Sequence, residues 1–323
     1  MIFKDMPVPP RIVFLDRETL PVPVRAVSVP HEWVSYPQTA PADVVARLAD
    51  AQVAITNKVP LNSASIAALP ALKLIAVAAT GYNQIDLSAA KQHGVTVCNI
   101  RDYAIAGVAE HALMLMLALK RQLPAYRNAV AAGEWQRASG FCVFGAPMHD
   151  LAGATLVLLG SGTLAKATAR LADAFGMRIV YAERKGTTQV RDGYVAFDEA
   201  LAQADVLSLH CPLNEQTRNA IGARELMLLK PGCVLINTAR GGLVDEAALL
   251  VALQNGRLGG AGLDVLIEEP PRNGNPLLDV NLPNLIITPH VAWASIETMS
   301  VLAGQLIDNI DAYLRGEPRN VVV

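Results

Sequence analysis

The sequence predicts an α/β fold built from two doubly wound parallel sheets. The chain has 323 residues, about twice the ~150 of an ordinary single domain. Short apolar runs alternate with helical stretches along nearly all of it, the rhythm of βα units whose strands lie parallel. No short-period repeat or low-complexity tract interrupts that rhythm, so solenoid and propeller architectures fall away.

Taken in order, residues 11–15 read as a strand, 43–48 as a helix leading into a strand at 53–56, and 66–72 as a helix leading into a strand at 74–79. In the second half strands are expected at 155–159, 178–182, 206–210, 233–237, 260–265 and 285–288, with helical segments between most of them. Two long helices are expected at 105–121 and 295–315. The first is apolar almost all round, so protein must cover it on several sides, at a domain interface or against a second subunit. Residues 122–150, with Pro124, Gly133, Gly140, Gly145 and Pro147, read as a loop long enough to be an arm. The joint then falls near Ala104 and the return near Ala294. This gives a discontinuous first domain, 1–103 plus 295–323, and a second domain, 104–294.

Composition narrows the function classes. Hydrophobic residues make up 52% and charged residues 17%, enough apolar side chain for a sizeable core and too little charge for disorder. With 27 Lys and Arg against 29 Asp and Glu and no basic block, the chain has no electrostatic footprint for nucleic acid. The longest apolar stretch, 112–119, is well short of the roughly 20 residues of a membrane span. Residues 1–10 carry Lys4 and Asp5 and no apolar core of a secretory signal, so the expected compartment is the cytoplasm. Cys98, Cys142, Cys211 and Cys233 form no CxxC pair, and no His stands at metal-ligand spacing, so the reading is reduced thiols and no metal.

The first chemical motif follows the strand at 155–159. Gly160-Ser161-Gly162-Thr163-Leu164-Ala165 opens a helical stripe, in the order strand, glycine turn, helix. Gly160 would make the tight turn, Gly162 would let the backbone approach a pyrophosphate, and Ala165 would let the helix pack closely on the strand. Amides from Ser161 to Leu164 would face the phosphates at the helix N-terminus. The next strand ends at Glu183, 23 residues after Gly160, where a carboxylate accepts the adenosine ribose hydroxyls and repels a 2′-phosphate. That points to NAD(H). Arg184 and Lys185 follow at once, and cations at this turn leave NADP(H) open.

An arginine, a carboxylate and a histidine then fall at or beyond the carboxyl ends of strands, where open α/β sheets build their sites: Arg240 in Asn237-Thr238-Ala239-Arg240-Gly241-Gly242, Glu269 after Leu263-Asp264-Val265, and His290 after Thr288-Pro289. Taken singly, each reads equally well as a surface or satisfied polar residue.

With these residues in view the chain resembles the D-isomer-specific 2-hydroxyacid dehydrogenase family, closest to its glycerate dehydrogenase or hydroxypyruvate reductase branch. The resemblance runs over residues 79–86, 108–111, the glycine turn, 209–212, 237–242, 263–265 with 269–270, and 289–290; Glu183 to Gly186, Phe141-Cys142 before Asp150-Leu151, and 290–295 carry the narrower match. It implies two Rossmann-like domains with an active-site cleft between them, in which Arg240 holds the substrate carboxylate and polarises its carbonyl. His290 would be the general acid in reduction and the base in oxidation, and Glu269 would hydrogen-bond it and favour its imidazolium form. Thr80 and Gly81 would grip the substrate carboxylate through their amides, and Trp293 would wall the pocket or pack in the core. Asp264 would fix the nicotinamide carboxamide, Thr238 and Ala239 would line its pocket, and Cys211 and Pro212 would lie along the adenosine.

The expected reaction is hydride transfer between NAD(P)H and a small 2-ketoacid, hydroxypyruvate or glyoxylate. D-lactate, phosphoglycerate, formate and phosphite dehydrogenases are the rivals, and a non-catalytic dinucleotide-sensing scaffold is the rival of another class. The end at Val323 weighs against the long phosphoglycerate forms. A homodimer is expected from the 105–121 helix and the 122–150 arm. His31, His93, His111 and His149 lack acid partners in sequence and read as structural.

Overall fold

The structure, a computed structural model, describes residues 9–323, so the N-terminal reading lies, up to residue 8, outside the described residues. The chain forms two compact units, Met1–Tyr103 with Ala294–Val323 and Ala104–Trp293, re-entering the first at Ala294, one residue ahead of the expected 295.

The first unit carries β1 (Arg11–Phe14), β2 (Glu32–Ser35), α1 (Val44–Leu48), β3 (Val53–Thr56), α2 (Ser63–Ala67), β4 (Leu74–Val77), α3 (Leu87–Gln92) and β5 (Thr96–Cys98). The strands are all parallel in the order β2-β1-β3-β4-β5. β3 and β4 are buried throughout, as their unbroken apolar runs require of strands covered on both faces. Two helices start where a side chain caps them: Asn62 accepts from the Ser65 amide at 2.9 Å and Asp86 from that of Ala89 at 2.9 Å. The Asn62 cap moves α2 ahead of the expected 66–72, and Leu69 and Leu72 enter the core from the turns that follow. β2 and β5 were not expected. β2 is a half-exposed edge strand without an apolar run, and β5 has only three residues.

The second unit opens with α4 (Ile105–Lys120), α5 (Leu123–Ala131) and α6 (Glu134–Arg137) and continues through β6 (Thr155–Leu159), α7 (Thr163–Ala174), β7 (Arg178–Ala182), α8 (Phe197–Gln203), β8 (Val206–Leu209), α9 (Ala223–Leu228), β9 (Cys233–Asn237), α10 (Glu246–Gln254), β10 (Leu258–Leu263) and β11 (Leu285–Ile287). The segment expected as a loop at 122–150 therefore holds two helices. Pro124 sits in the first turn of α5, where no amide is needed, and Gly133 in a left-handed conformation begins α6, so both residues mark helix ends rather than a loop. α4 lies against α7, β9 and β10, burying Ala112, Leu115, Met116 and Leu119. The chain finally returns to the first unit as α11 (Ile296–Leu314), capped by Ser295, which accepts from the Thr298 amide at 3.1 Å.

The second sheet is parallel in the order β11-β10-β9-β8-β6-β7. Its register places Ala182, Leu159, Leu209, Asn237, Leu263 and Ile287 in one row across six strands. The residue after each of these, Glu183, Gly160, His210, Thr238, Asp264 and Thr288, opens the carboxyl edge of the sheet.

Candidate active site

β7 and β8 lie on opposite sides of β6, so the chain reverses its winding there and leaves a crevice at the carboxyl edge. Gly160 stands at that point with φ +108°, and a Cβ on it would meet the His210 carbonyl oxygen at 2.6 Å. Only glycine satisfies both constraints. A Cβ on Gly162, in contrast, would meet nothing within 4 Å, and no side chain caps the N-terminus of α7. Backbone amides at the start of a twelve-residue helix thus face open space, which suits the pyrophosphate of a dinucleotide. On the same carboxyl edge, at the end of β9, the Thr238 hydroxyl is buried with no hydrogen-bond partner among the described residues. A buried donor left unpaired next to the crevice fits the place expected for a nicotinamide amide.

At the adenosine end Glu183 is only 2% exposed and accepts from the Arg184 amide at 2.8 Å and from Arg191 through Nε at 2.7 Å and Nη2 at 2.8 Å. The Arg191 guanidinium, with the Arg184 amide, holds its carboxyl down at about 2. Arg184 is exposed, and Lys185 turns away to Glu225 at 3.0 Å. Cys211 has its thiol pushed up to about 11 by burial, so it stays protonated, and Pro212 is exposed beside it.

Arg240 and His290 each stand three residues past the same row of the sheet, on β9 and β11, with β10 between them. Asn237 shapes the first of these turns: its amide donates to the Arg240 carbonyl at 2.8 Å and its oxygen accepts from the Ala239 amide at 3.0 Å. The Arg240 side chain is exposed. The next residue, Gly241, packs so closely that a Cβ would meet the Leu266 carbonyl carbon at 2.0 Å, which joins this turn to the loop after β10. In that loop Glu269 accepts from the Leu266 amide through Oε1 at 3.0 Å and from His290 Nδ1 through Oε2 at 2.6 Å. A carboxylate offers no proton, so Nδ1 carries the hydrogen and Nε2 is left for a substrate.

His290 itself has φ +57°, a left-handed conformation unusual for a side chain of this size. Asp264 holds it there. Its carbonyl accepts from the His290 amide at 2.9 Å, and its carboxylate, 1% exposed, accepts from Val291 N at 2.9 Å, Ala292 N at 2.8 Å and Thr288 Oγ1 at 2.6 Å. Trp293 donates its indole N–H back to the His290 carbonyl at 3.0 Å.

His111 joins this network from α4. Thr288 gives its proton to Asp264, so its oxygen accepts from His111 Nε2 at 2.9 Å, and burial keeps the imidazole below its usual range. The expectation that His111 lacks an acid partner is thereby corrected: Asp264 lies 3.7 Å away, supplied by a strand more than 150 residues downstream in the sequence. His111, Thr288, Arg191 and Tyr194 are the site-lining residues that sequence reading missed. His111 and Thr288 stood in quoted motifs, the first read as structural and the second given no role. Thr80 and Gly81 lie in the first unit, in the turn after β4, where Thr80 donates its hydroxyl to the Ile100 carbonyl at 2.8 Å.

A family profile described as D-isomer specific 2-hydroxyacid dehydrogenase, NAD binding domain, matches residues 113–292. The chain is 50% identical over 313 residues to the glycerate dehydrogenase of Methylorubrum extorquens, covering 97% of this chain and 98% of that one. It is 34% identical over 297 residues to the hydroxypyruvate reductase of Blautia hydrogenotrophica, covering 90% and 92%. Among solved structures it resembles an NADPH-dependent glyoxylate/hydroxypyruvate reductase from Sinorhizobium meliloti with TM-score 0.80 and 33% identity, over 97% of this chain and 98% of that one.

Proposed function

The chain belongs to the D-isomer specific 2-hydroxyacid dehydrogenase family and is an NAD(P)-dependent oxidoreductase; from that premise we propose that it reduces hydroxypyruvate or glyoxylate to the D-2-hydroxyacid. The observation that carries the reading is the 2.6 Å bond between His290 Nδ1 and Glu269 on the carboxyl edge that also bears the glycine turn. A sensor has no use for a proton-carrying pair so arranged. The similarity to a glycerate dehydrogenase and a hydroxypyruvate reductase supports the choice of substrate.

The amides of residues 161–164 would hold the pyrophosphate, Arg184 with the backbone of Cys211 and Pro212 would lie along the adenosine with Glu183 lining that end, and Thr238, Ala239 and Asp264 would take the nicotinamide side. When bound, the dinucleotide supplies or accepts the hydride. Arg240 would orient the substrate carboxylate and draw electron density toward the carbonyl oxygen, since its planar guanidinium keeps its charge and several donors. His290 Nε2 would deliver the proton to that oxygen in reduction and take it back in oxidation. Glu269 would hold the ring through Nδ1 while that proton moves. To the Thr80–Gly81 turn we assign a grip on the substrate carboxylate, and to Trp293 the bracing of the His290 backbone.

We place the enzyme as a homodimer. α4 and α7 leave a groove of about 510 Å³ lined by Leu113, Met114, Leu117, Ala118, Leu123 and Leu171, and the segment beyond α6 exposes Phe141 at 92% and Phe144 at 87%. An apolar groove and exposed aromatic side chains on one unit suit a self-complementary interface with a second copy. A monomer at micromolar concentration in light scattering would refute this. We place it in the cytoplasm, a reading supported by four unpaired cysteines and tested by fractionation; among the described residues no helix is long and apolar enough to cross a membrane.

The deciding assay follows reduced nicotinamide absorbance with hydroxypyruvate, glyoxylate and pyruvate for the parent and His290→Ala. Turnover of the first two, lost by about 10²-fold or more in the variant with cofactor still bound, is expected. Cofactor binding without turnover of any ketoacid would replace this reading with the scaffold.

A further inference from the structure

Glu183 stands where the fold reads the adenosine ribose, yet its oxygens are occupied. Oε1 accepts from Arg184 N at 2.8 Å and Arg191 Nη2 at 2.8 Å, and Oε2 accepts from Arg191 Nε at 2.7 Å and Arg191 N at 3.1 Å. Four donors match the four lone-pair directions of a carboxylate, so no acceptor is left for ribose hydroxyls. The charge that would repel a 2′-phosphate is at the same time paired with a guanidinium.

Arg191 is held for this task from its other side. Its guanidinium lies 3.9 Å above the Tyr194 ring, and the Tyr194 hydroxyl donates to Ser161 Oγ at 2.5 Å, tying the pair to the glycine turn. Pairing through Nε and Nη2 uses two of the five guanidinium N–H groups, which leaves three donors on a side chain that is 48% exposed. Those donors are available to an anion while the pair with Glu183 stays intact. The other cations of the turn divide: Arg184 is exposed with no ion pair among the described residues, and Lys185 is engaged by Glu225 at 3.0 Å and by the Ala220 carbonyl at 3.2 Å.

We propose that Arg191 is the residue that sets cofactor choice, masking Glu183 and offering its remaining donors to the 2′-phosphate, so that the chain accepts NADP(H) as well as NAD(H). The proposal rests on the dehydrogenase reading and names a residue outside the glycine turn and the Glu183–Arg184 dipeptide. It also assigns Tyr194 a positioning task, as the platform that keeps Arg191 over the end of β7.

The test is equilibrium binding of NADH and NADPH, by fluorescence titration at one fixed salt concentration, to the parent, Arg191→Ala, Arg191→Lys and Glu183→Gln. In Arg191→Ala an unmasked carboxylate faces the phosphate, and the ratio Kd(NADPH)/Kd(NADH) is expected to rise about tenfold or more. Arg191→Lys, which keeps the charge without the fork, should fall between, and Glu183→Gln should move the ratio toward NADPH. A purely structural role for Arg191 would weaken both cofactors in proportion. A ratio within about twofold of the parent in both Arg191→Ala and Glu183→Gln overturns the proposal. A parent that binds neither dinucleotide overturns the dehydrogenase reading and this proposal with it, whereas a parent that binds both with an unmoved ratio overturns this proposal alone.

Discussion

Asp264 offers the sharpest test of how the site is held together. Its carboxylate is 1% exposed and receives three hydrogen bonds, from Thr288 Oγ1 and the amides of residues 291 and 292, while its carbonyl receives the His290 amide. In Asp264→Asn the volume is kept and one oxygen remains, but an NH2 group must face either the Ala292 amide or the pair Thr288 and Val291. One donor is orphaned at a cost of about 1–3 kcal/mol, and the surviving bonds lose their charge at about 0.5–1.5 kcal/mol, so a destabilisation of about 1.5–4.5 kcal/mol is expected. The effect on turnover has a separate source. A left-handed non-glycine residue costs about 1–3 kcal/mol, and the Asp264 clamp is what offsets that cost at His290. Releasing it lowers the population with the ring in place by about 5- to 150-fold, at 1.4 kcal/mol per tenfold. Urea unfolding followed by circular dichroism, with steady-state kinetics on the same preparation, separates the two effects. Thr288→Val, which removes one donor of the three, should show the smaller change in both. Stability within about 1 kcal/mol of the parent with kcat within about threefold would refute the clamp. A loss confined to cofactor affinity would return Asp264 to the nicotinamide alone.

Glu269→Gln keeps the shape beside His290 Nδ1 but replaces a charged acceptor with a neutral one, which weakens the bond that holds the ring, so turnover should fall about tenfold with cofactor affinity retained; unchanged turnover would refute the assigned role. Gly162→Ala adds a methyl group into open space, so the variant should melt with the parent and yet bind either dinucleotide at least about tenfold more weakly; unchanged cofactor affinity would remove the pyrophosphate from that turn. His210 is held to about 4 by burial against an ordinary value of 6.5, so the unfolded chain takes up its proton first as the pH falls. The stability it contributes is full above 6.5 and is lost between 6.5 and about 4, by at most about 3–4 kcal/mol. His210→Gln should therefore lose less stability than the parent between neutral pH and the acid side of this window, and identical pH slopes in urea unfolding would contradict the assignment.

How much of this was legible in the sequence depends on how local the cause is. In the second unit β6, β8 and β9 were readable as short apolar runs bounded by polar or glycine residues, since a parallel strand buried on both faces needs nothing else, and the edge strands β7 and β11 carry the same run with partial burial. β2, with two exposed ends and only partial burial between, carries no such signal. The α5 and α6 helices were missed because Pro124 and Gly133 were taken as breakers, when their places at helix starts make them compatible with helix. At the site Glu183, Thr238, Asp264, Arg240 and His290, one to three positions past a strand, were singled out, since the carboxyl edge is a rule of topology. Arg191 and His111 were not. Arg191 reaches Glu183 from a loop eight residues on, and His111 reaches Asp264 from a helix across the sheet. Neither distance in sequence has a period that predicts the contact.

The two sheets also explain why one of them takes a dinucleotide. Both are wound from a central strand outward, and each therefore has a switch point, between β1 and β3 in the first unit and between β6 and β8 in the second. In the first, Asp16 follows β1 and accepts from the amides of Asn57 at 2.9 Å, Lys58 at 2.6 Å and Val59 at 3.3 Å, which follow β3. The chain's own carboxylate occupies the nest that an external anion would use, buried to 3% exposure. In the second, Gly160 and Gly162 stand after β6 with no side chain to fill the crevice, and the helix amides beyond them remain uncapped. The same winding thus yields a self-sealed crevice where an aspartate follows the central strand and an open one, suited to an anion, where glycines do. It follows that Asp16→Ala should open buried amides to water and destabilise the first unit without conferring dinucleotide affinity on it, because Leu15 and Arg17 leave no close approach for a pyrophosphate backbone.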